Sequence, residues 1–231
     1  MILSVEKPRY SVRTVASFAG ITNETVQGIA DCSKSAFQTD RGERAKNVLG
    51  QIERGGTVYL VECDGVVQAF ATSLIGTPSE LLTSDSKADT SLVSEADVPG
   101  VYLGEAAVRK ELQGQGIYKT LTRFRVGEAV RNKLPLLFVT TQNPRVIAGI
   151  KHAVWHYGER GYIESAEVKA VGFAFLGPGE LVTRERQFSR SQEANDLFNL
   201  IDVENGDGYL FFVKLTCPGV SASLETPSRA E

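Results

Sequence analysis

The stretch that most restricts the fold is residues 101–121, Val-Tyr-Leu-Gly-Glu-Ala-Ala-Val-Arg-Lys-Glu-Leu-Gln-Gly-Gln-Gly-Ile-Tyr-Lys-Thr-Leu. The apolar run at 101–108 has the length of a strand. After a polar turn with Gly114 and Gly116, residues 114–132 place Ile117, Leu121 and Phe124 on one face of a helix. The apolar run at 136–141 is too short to be anything but a second strand. A strand-helix-strand of this kind is a parallel crossover and puts the chain among the α/β proteins. The two glycines allow a sharp turn and close approach to a ligand. The unpaired N–H groups of the helix start, helped by the helix dipole, suit an anion such as a diphosphate.

Around this segment the punctuation predicts further strands and helices. A strand at 12–18 precedes Thr22-Asn23-Glu24, a cap for a helix to about Phe37. The capping-box pattern Asp40-Arg41-Gly42-Glu43 should open a second helix that ends near Gly55-Gly56. The runs 57–63 and 66–71 flank Asp64-Gly65, a pair suited to the positive φ values of a tight hairpin turn. Residues 76–98 read as a long acidic loop, with Glu80, Asp85, Asp89, Glu95 and Asp97 against the single base Lys87. Asn143-Pro144 supplies a cap and a first-turn proline for a helix with Ile147, Ile150 and Val154 on its apolar stripe, closing at 158–161. Strands are expected at 168–175 and 209–216, separated by a long polar connection with a short helix near 192–200. The expected organisation is one domain over residues 1–217, enlarged at 176–207, followed by a mobile tail at 218–231.

Charge and composition narrow the function classes. The 231 residues carry 25 Lys+Arg and 28 Asp+Glu, a net charge of −3, and 42% are hydrophobic. A basic nucleic-acid surface and a disordered chain are both excluded. The acidic stretch accounts for more than the whole excess and leaves the rest of the chain at +1. Cys32, Cys63 and Cys217 form no CxxC pair. The N-terminus lacks a basic start and an apolar run, and no apolar segment reaches the ~20 residues that span a bilayer. These features predict a cytoplasmic protein that binds neither membrane nor nucleic acid.

Three phosphate-binding patterns compete at the glycine loop. A P-loop needs Gly directly before Lys-Ser/Thr, where this chain has Tyr118 before Lys119-Thr120. A dinucleotide fingerprint starting at Gly114 needs a third glycine where Lys119 stands. The third pattern is a resemblance: Gln113-Gly114-Gln115-Gly116-Ile117-Tyr118 is similar to the acyl-CoA pyrophosphate loop of the GNAT superfamily of N-acetyltransferases, Gln or Arg, two residues, Gly, one residue, Gly or Ala. Tyr118 departs from it at the last position. The Asn143-initiated helix and its ending Tyr157-Gly158-Glu159-Arg160-Gly161-Tyr162 also resemble the family, and the shared order of elements covers roughly residues 10–175. The resemblance implies a GNAT-like acyl-CoA N-acyltransferase fold, a central mixed, mostly antiparallel twisted sheet flanked by helices.

It further implies acetyl-CoA as cosubstrate and transfer of the acetyl group to a primary amine by direct attack through a tetrahedral intermediate. By that resemblance Gln113, Gly114, Gln115, Gly116, Ile117 and Tyr118 grip the pyrophosphate, mainly through backbone N–H groups. Ala106 and Val108 offer backbone groups to the pantetheine arm. Asn143 contacts the cofactor, with helix capping as the competing explanation. Tyr157 stands where the family has its helix-end tyrosine, and a phenol is protonated at neutral pH and able to donate; a core or CoA-packing tyrosine is the other reading. Glu105 is the one charged residue in 101–108, and a carboxylate amid apolar neighbours should be a better proton acceptor near neutral pH. A structural partner for Glu105, or deprotonation relayed by water, is the alternative.

His152 and His156 lie four apart without a third ligand, so no metal is expected, and Trp155 reads as core. The acceptor would be a small-molecule or peptide amine, a cationic one if the acidic stretch steers it; a solvated mobile loop is the other reading of that stretch. A non-catalytic acyl-CoA-sensing module is the alternative to an enzyme. Strands 168–175 and 209–216 could pair across a homodimer.

Overall fold

The computed structural model describes residues 10–37, 42–85, 94–141, 143–174, 186–188 and 207–219. In order these form β1 (Ser11–Val15), α1 (Asn23–Phe37), α2 (Gly42–Glu53), β2 (Thr57–Cys63), β3 (Val66–Gly76), α3 (Pro78–Asp85), β4 (Gly100–Val108), α4 (Ile117–Arg131), β5 (Leu136–Thr141), α5 (Pro144–Gly158), β6 (Ser165–Ala174), β7 (Arg186–Phe188) and β8 (Asp207–Thr216). The chain divides into two compact units, Met1–Leu74 with Leu103–Phe124 and Ile75–Tyr102 with Arg125–Glu231.

In the first unit the strand order is β1-β2-β3-β4. Strands β1 and β3 both run antiparallel to β2. The hairpin turns at Asp64 and Gly65, with φ of 50° and 77°, as the Asp-Gly pair predicts. Period-two alternation splits the side chains between two clusters. Val58 and Leu60 face α1 and α2 with Ile29, Cys32, Val48, Ile52 and Phe70. Tyr59 and Val61 face α4 with Ala69, Ala71, Val108, Ile117 and Leu121. Full burial of one such aliphatic side chain contributes about 1.5–3 kcal/mol. Thr22 caps α1, its Oγ1 accepting from the amide of Thr25 at 3.3 Å. The capping box expected at 40–43 begins outside the described residues.

The second unit has the order β4-β5-β8-β6-β7. Here β4 and β5 pair in parallel, Gly100 opposite Leu136 and Tyr102 opposite Phe138, which is the predicted crossover. The other pairs in the unit are antiparallel. Leu136, Leu137, Phe138 and Val139 of β5 and Leu210, Phe211, Phe212 and Val213 of β8 are all buried, the signature of central strands covered on both faces.

Strands β6 and β8 pair with each other within the chain, Ser165 opposite Thr216 through Ala174 opposite Asp207. Three expectations change. The stretch 76–98 is not a plain loop: Pro78–Asp85 is helical, opened by a reciprocal capping box in which Thr77 Oγ1 accepts from the Glu80 amide at 3.3 Å and Glu80 Oε2 accepts from the Thr77 amide at 3.0 Å. Nor is its acidity all solvated, because Glu95 is 1% exposed. Trp155, expected in the core, is 63% exposed, since it lies off the buried stripe of Ile147, Ile150 and Val154. The helix expected at 192–200 and the tail beyond 219 lie outside the described residues.

Among the described residues no helix is long and apolar enough to cross a membrane. None of their His, Cys, Asp and Glu side chains form a group of three that could hold a metal ion.

Candidate functional site

The end of β4 is tied down before the glycine loop begins. The Arg109 amide donates to the Gln68 carbonyl at 3.0 Å and its Nε to the Val67 carbonyl at 2.9 Å, both on β3. A single 3-10 turn at Lys110–Leu112 follows. The Lys110 amide donates to Ser35 Oγ at 3.0 Å, and that hydroxyl donates to Glu111 Oε2 at 3.2 Å, which fastens the turn to α1. The Gln113 side chain folds back, Nε2 donating to the Val108 carbonyl at 3.1 Å. Val108 can then serve another donor only with its second lone pair.

Gly114 and Gly116 have φ of +83° and +81°, left-handed values that L side chains rarely adopt. A Cβ at either glycine would meet nothing within 4 Å, so backbone shape and not crowding selects glycine. The first helical hydrogen bond of α4 runs from the Thr120 amide to the Gly116 carbonyl at 3.1 Å. The amides of Ile117, Tyr118 and Lys119 therefore stand ahead of the intrahelical ladder. Together with the dipole of a 15-residue helix they give this end of α4 the polarity that suits an anion. The residues fit a pyrophosphate: the loop is exposed from Gln113 to Gly116 and roofed by no side chain of its glycines. Tyr118, the departure from the family pattern, packs beside Leu112 and Phe124 on the cluster of Tyr59, Ile117 and Leu121, which accommodates its bulk. Ala106 and Val108 face this same cluster, while Ala107 faces α1 and α2.

Glu105 points toward α2 and is ion-paired through Oε2 with Arg44 Nη1. The Arg44 guanidinium also lies 4.0 Å from the centroid of the Phe37 ring. The apolar sleeve expected around Glu105 is thus absent: its partner is a cation, and its backbone carbonyl accepts from Thr72 Oγ1 at 3.3 Å. Beside it, a Cβ at Gly104 would stand 2.6 Å from both Gln51 Oε1 and Thr72 Oγ1, so any larger residue there would displace both side chains. Gln51 is 4% exposed, and its Oε1 accepts no hydrogen bond among the described residues. An unmet buried acceptor of this kind costs about 1–3 kcal/mol. Neither Arg44 nor Gln51 is readable as a site residue from the sequence, because no local spacing links α2 to a strand that, for Arg44 and Glu105, lies 61 positions later.

Asn143 and Tyr157 belong to the second unit. Asn143 is the N-cap of α5: its Oδ1 accepts from the Arg145 amide at 3.0 Å, and its own amide donates to Thr141 Oγ1 at 2.9 Å. Tyr157 lies at the other end of α5, its ring edge-on to His156 and Tyr162. Its hydroxyl occupies the space where a Cβ on Gly127 of α4 would stand, with Arg131 Nη1 close to the same point. His156 Nδ1 is 2.9 Å from Arg160 Nη1, a local contact at the helix end.

Among the described residues of this unit the most buried acid is Glu95. Its Oε1 lies 2.7 Å from Lys214 Nζ on β8, and its Oε2 lies 3.3 Å from Lys169 Nζ on β6 and accepts from Ser94 Oγ at 2.8 Å. Burial raises its pKa, but the hydrogen bonds from Lys214, Ser94 and Lys169 outweigh that and hold the carboxyl at about 2. Cys32, buried against the Gln68 carbonyl, is pushed up to about 12 by burial and is an inert thiol.

No protein-family model matches the chain, and no curated protein resembles it in sequence at a significant level. Solved structures resemble it in fold. A polyamine N-acetyltransferase from Drosophila melanogaster that forms N-acetylagmatine aligns with 90% of this chain and 100% of its own at 11% identity and a TM-score of 0.53. A single-site mutant of an agmatine N-acetyltransferase, in apo form, aligns over 89% and 99% at 10% identity and 0.51. The ribosomal-protein-S18-alanine N-acetyltransferase from Escherichia coli aligns over 90% and 94% at 11% identity and 0.50. At such identities the likeness speaks for the fold, and with the mixed, mostly antiparallel sheet, the parallel β4-β5 pair and the glycine loop at the start of α4, the chain has the GNAT fold of the N-acetyltransferases.

Proposed function

We propose that the protein is an acyl-CoA-dependent N-acetyltransferase that moves an acetyl group from acetyl-CoA to a primary amine. The observation that carries this reading is the strand-loop-helix of 100–131, in which two left-handed glycines turn the chain into α4 and set its first-turn amides at the positive end of the helix, within a GNAT fold. Those amides, with the backbone of Gln113 to Gly116, bind the pyrophosphate of acetyl-CoA. Ala106 and Val108 lie just upstream on β4 for the pantetheine arm. Asn143, whose side chain serves the cap of α5, joins cofactor binding only through its backbone.

The reaction follows from the chemistry of the thioester. The amine nitrogen attacks the carbonyl carbon, the C–N bond forms, and the C–S bond breaks as the tetrahedral intermediate collapses. One proton must leave the ammonium before attack and a second must leave the nitrogen as the intermediate collapses, restoring the proton that the departing thiolate gains. Glu105 is the proton acceptor on this reading, which requires Arg44 to loosen its hold. Tyr157 supplies a proton to the thiolate. The acceptor is a small-molecule or peptide amine.

A second reading, a non-catalytic acyl-CoA-sensing module, is favoured by one observation: Glu105 is already paired with Arg44. Turnover separates the two. Acetyl-CoA binding should be measured directly, and CoA release followed over a panel of amines. Release with at least one amine class supports the enzyme, whereas tight binding with no release from any amine leaves the sensor.

A further inference from the structure

The cluster of Phe37, Arg44 and Glu105 contains a cation held between an aromatic face and a carboxylate. The guanidinium sits 4.0 Å from the Phe37 ring centroid and is ion-paired with Glu105 Oε2. This combination is how proteins recognise organic cations in general. All three groups are reachable by solvent: the Arg44 and Glu105 side chains are 33% and 24% exposed and Phe37 is 40% exposed. An exposed ion pair and a half-exposed cation–π contact are weak individually, so the guanidinium can be exchanged without opening the core.

We infer that Arg44 holds the place of the acceptor: Phe37 and Glu105 form a cation subsite that an incoming alkylammonium takes over from the guanidinium. The inference rests on the acetyltransferase reading for its chemical sense, but the subsite itself is a binding property. A guanidinium is suited to the placeholder role because it cannot be deprotonated in a protein. While Arg44 occupies the subsite, the carboxylate faces a cation with no proton to release. An ammonium in the same position transfers a proton to Glu105, and the freed lone pair attacks the thioester carbon. The first proton stays on the carboxyl group, the C–N bond forms, and the C–S bond breaks with the electron pair leaving on sulfur, which takes the second proton that the nitrogen sheds in becoming an amide.

The acceptor class follows from the two groups that remain once Arg44 has moved aside. The Phe37 face takes the cation together with its adjoining methylene groups, and Glu105 repels a carboxylate next to the amine. Linear alkylamines fit, and α-amino acids do not.

The test uses the full chain and two probes. Ethylguanidinium, which cannot be acetylated by this route, is titrated by chemical-shift perturbation without acetyl-CoA. The expected result is binding about five- to tenfold tighter to Arg44→Ala than to the parent protein, the scale of one cation–π contact plus one exposed ion pair. The gain should disappear when Phe37→Ala or Glu105→Gln is added. With acetyl-CoA, the KM for 1,4-diaminobutane should fall by a similar factor in Arg44→Ala. Arg44→Gln, which keeps most of the side chain's length without the charge, should behave alike and covers the case in which the alanine variant does not fold. Unchanged or weaker ethylguanidinium binding in these variants overturns the proposal, the weaker result showing that Arg44 itself contacts the ligand. Tighter ethylguanidinium binding without CoA release from any amine supports the cation subsite and overturns the acetyltransferase reading. CoA release with a diamine KM indifferent to Arg44 does the reverse.

Discussion

At the start of α4 the cap position is Gly116, which has no side chain to offer the first amides of the helix. At the start of α5 it is Asn143, whose Oδ1 accepts from the Arg145 amide at 3.0 Å. The same contrast separates the carboxylates of the two units. Glu105 in the first unit is 24% exposed with its ion-pair partner on a neighbouring helix, whereas the Glu95 side chain in the second is 2% exposed and held by two lysines and a serine. A polar group whose charge is met inside the protein stabilises the fold. One that is left reachable, at a structural cost, is where a ligand can bind.

Substitutions that interchange the two kinds of group should break this contrast. The largest effect is expected at Glu95. Glu95→Gln removes the carboxylate that faces the buried Lys169 and should lower stability by about 3–5 kcal/mol, read from denaturant or thermal unfolding. The pH dependence has a definite sign. The carboxyl is depressed from 4.5 to about 2, so its contribution is complete above pH 4.5 and is lost as pH falls toward 2. The stability gap between the parent and Glu95→Gln should therefore narrow over that window and be constant above it. A gap that stays open at pH 2 would show that the lysines do not hold the carboxylate ionised.

Next in size are the chemical groups. Glu105→Gln should lower kcat about a hundredfold in the acetyl-transfer assay with little change in unfolding free energy. An equal loss of stability would move Glu105 into the structural group with Glu95. Tyr157→Phe, which removes only the hydroxyl beside Gly127, should lower kcat by about tenfold or more if the phenol protonates the thiolate. An unchanged rate leaves Tyr157 as a packing residue.

The two helix starts give the smaller effects. Gly116→Ala forces a Cβ into a left-handed backbone, costs about 1–2 kcal/mol, and should weaken acetyl-CoA binding measured by calorimetry. Asn143→Ala should cost about 1 kcal/mol of stability and leave the acetyl-CoA Kd unchanged. Weaker acetyl-CoA binding by the Asn143 variant would place that residue in the ligand site as well as at the cap.

Much of the first unit is legible from local rules. Asp64-Gly65 specifies the hairpin because few residues tolerate both φ values, and the order of apolar strand, glycines and Ile117-Leu121-Phe124 helix specifies β4, its loop and α4. The helix at Pro78–Asp85 is legible too, since Thr77 and Glu80 stand at capping-box spacing with proline at the first helical position. The acidic composition of 76–98 masks that signal. Trp155 reads as core by its residue type, although its offset from the Ile147-Ile150-Val154 stripe on the helical wheel points outward.

By itself the sequence determined the elements whose causes lie within a few residues of one another: the hairpin, the caps, the crossover and the glycine turn into α4. Tertiary structure alone decided that β8 lies between β5 and β6, that Glu95 is sealed by Lys169 and Lys214, and that Arg44 reaches Glu105. The Arg44–Glu105 and Glu95–Lys169 pairs join residues 61 and 74 positions apart, and they ask only for opposite charges. The pairing of β8 with its two neighbours asks only for strands with apolar faces. Many residues in the chain would satisfy such conditions equally well, and only the packing of the sheet and helices selects among them.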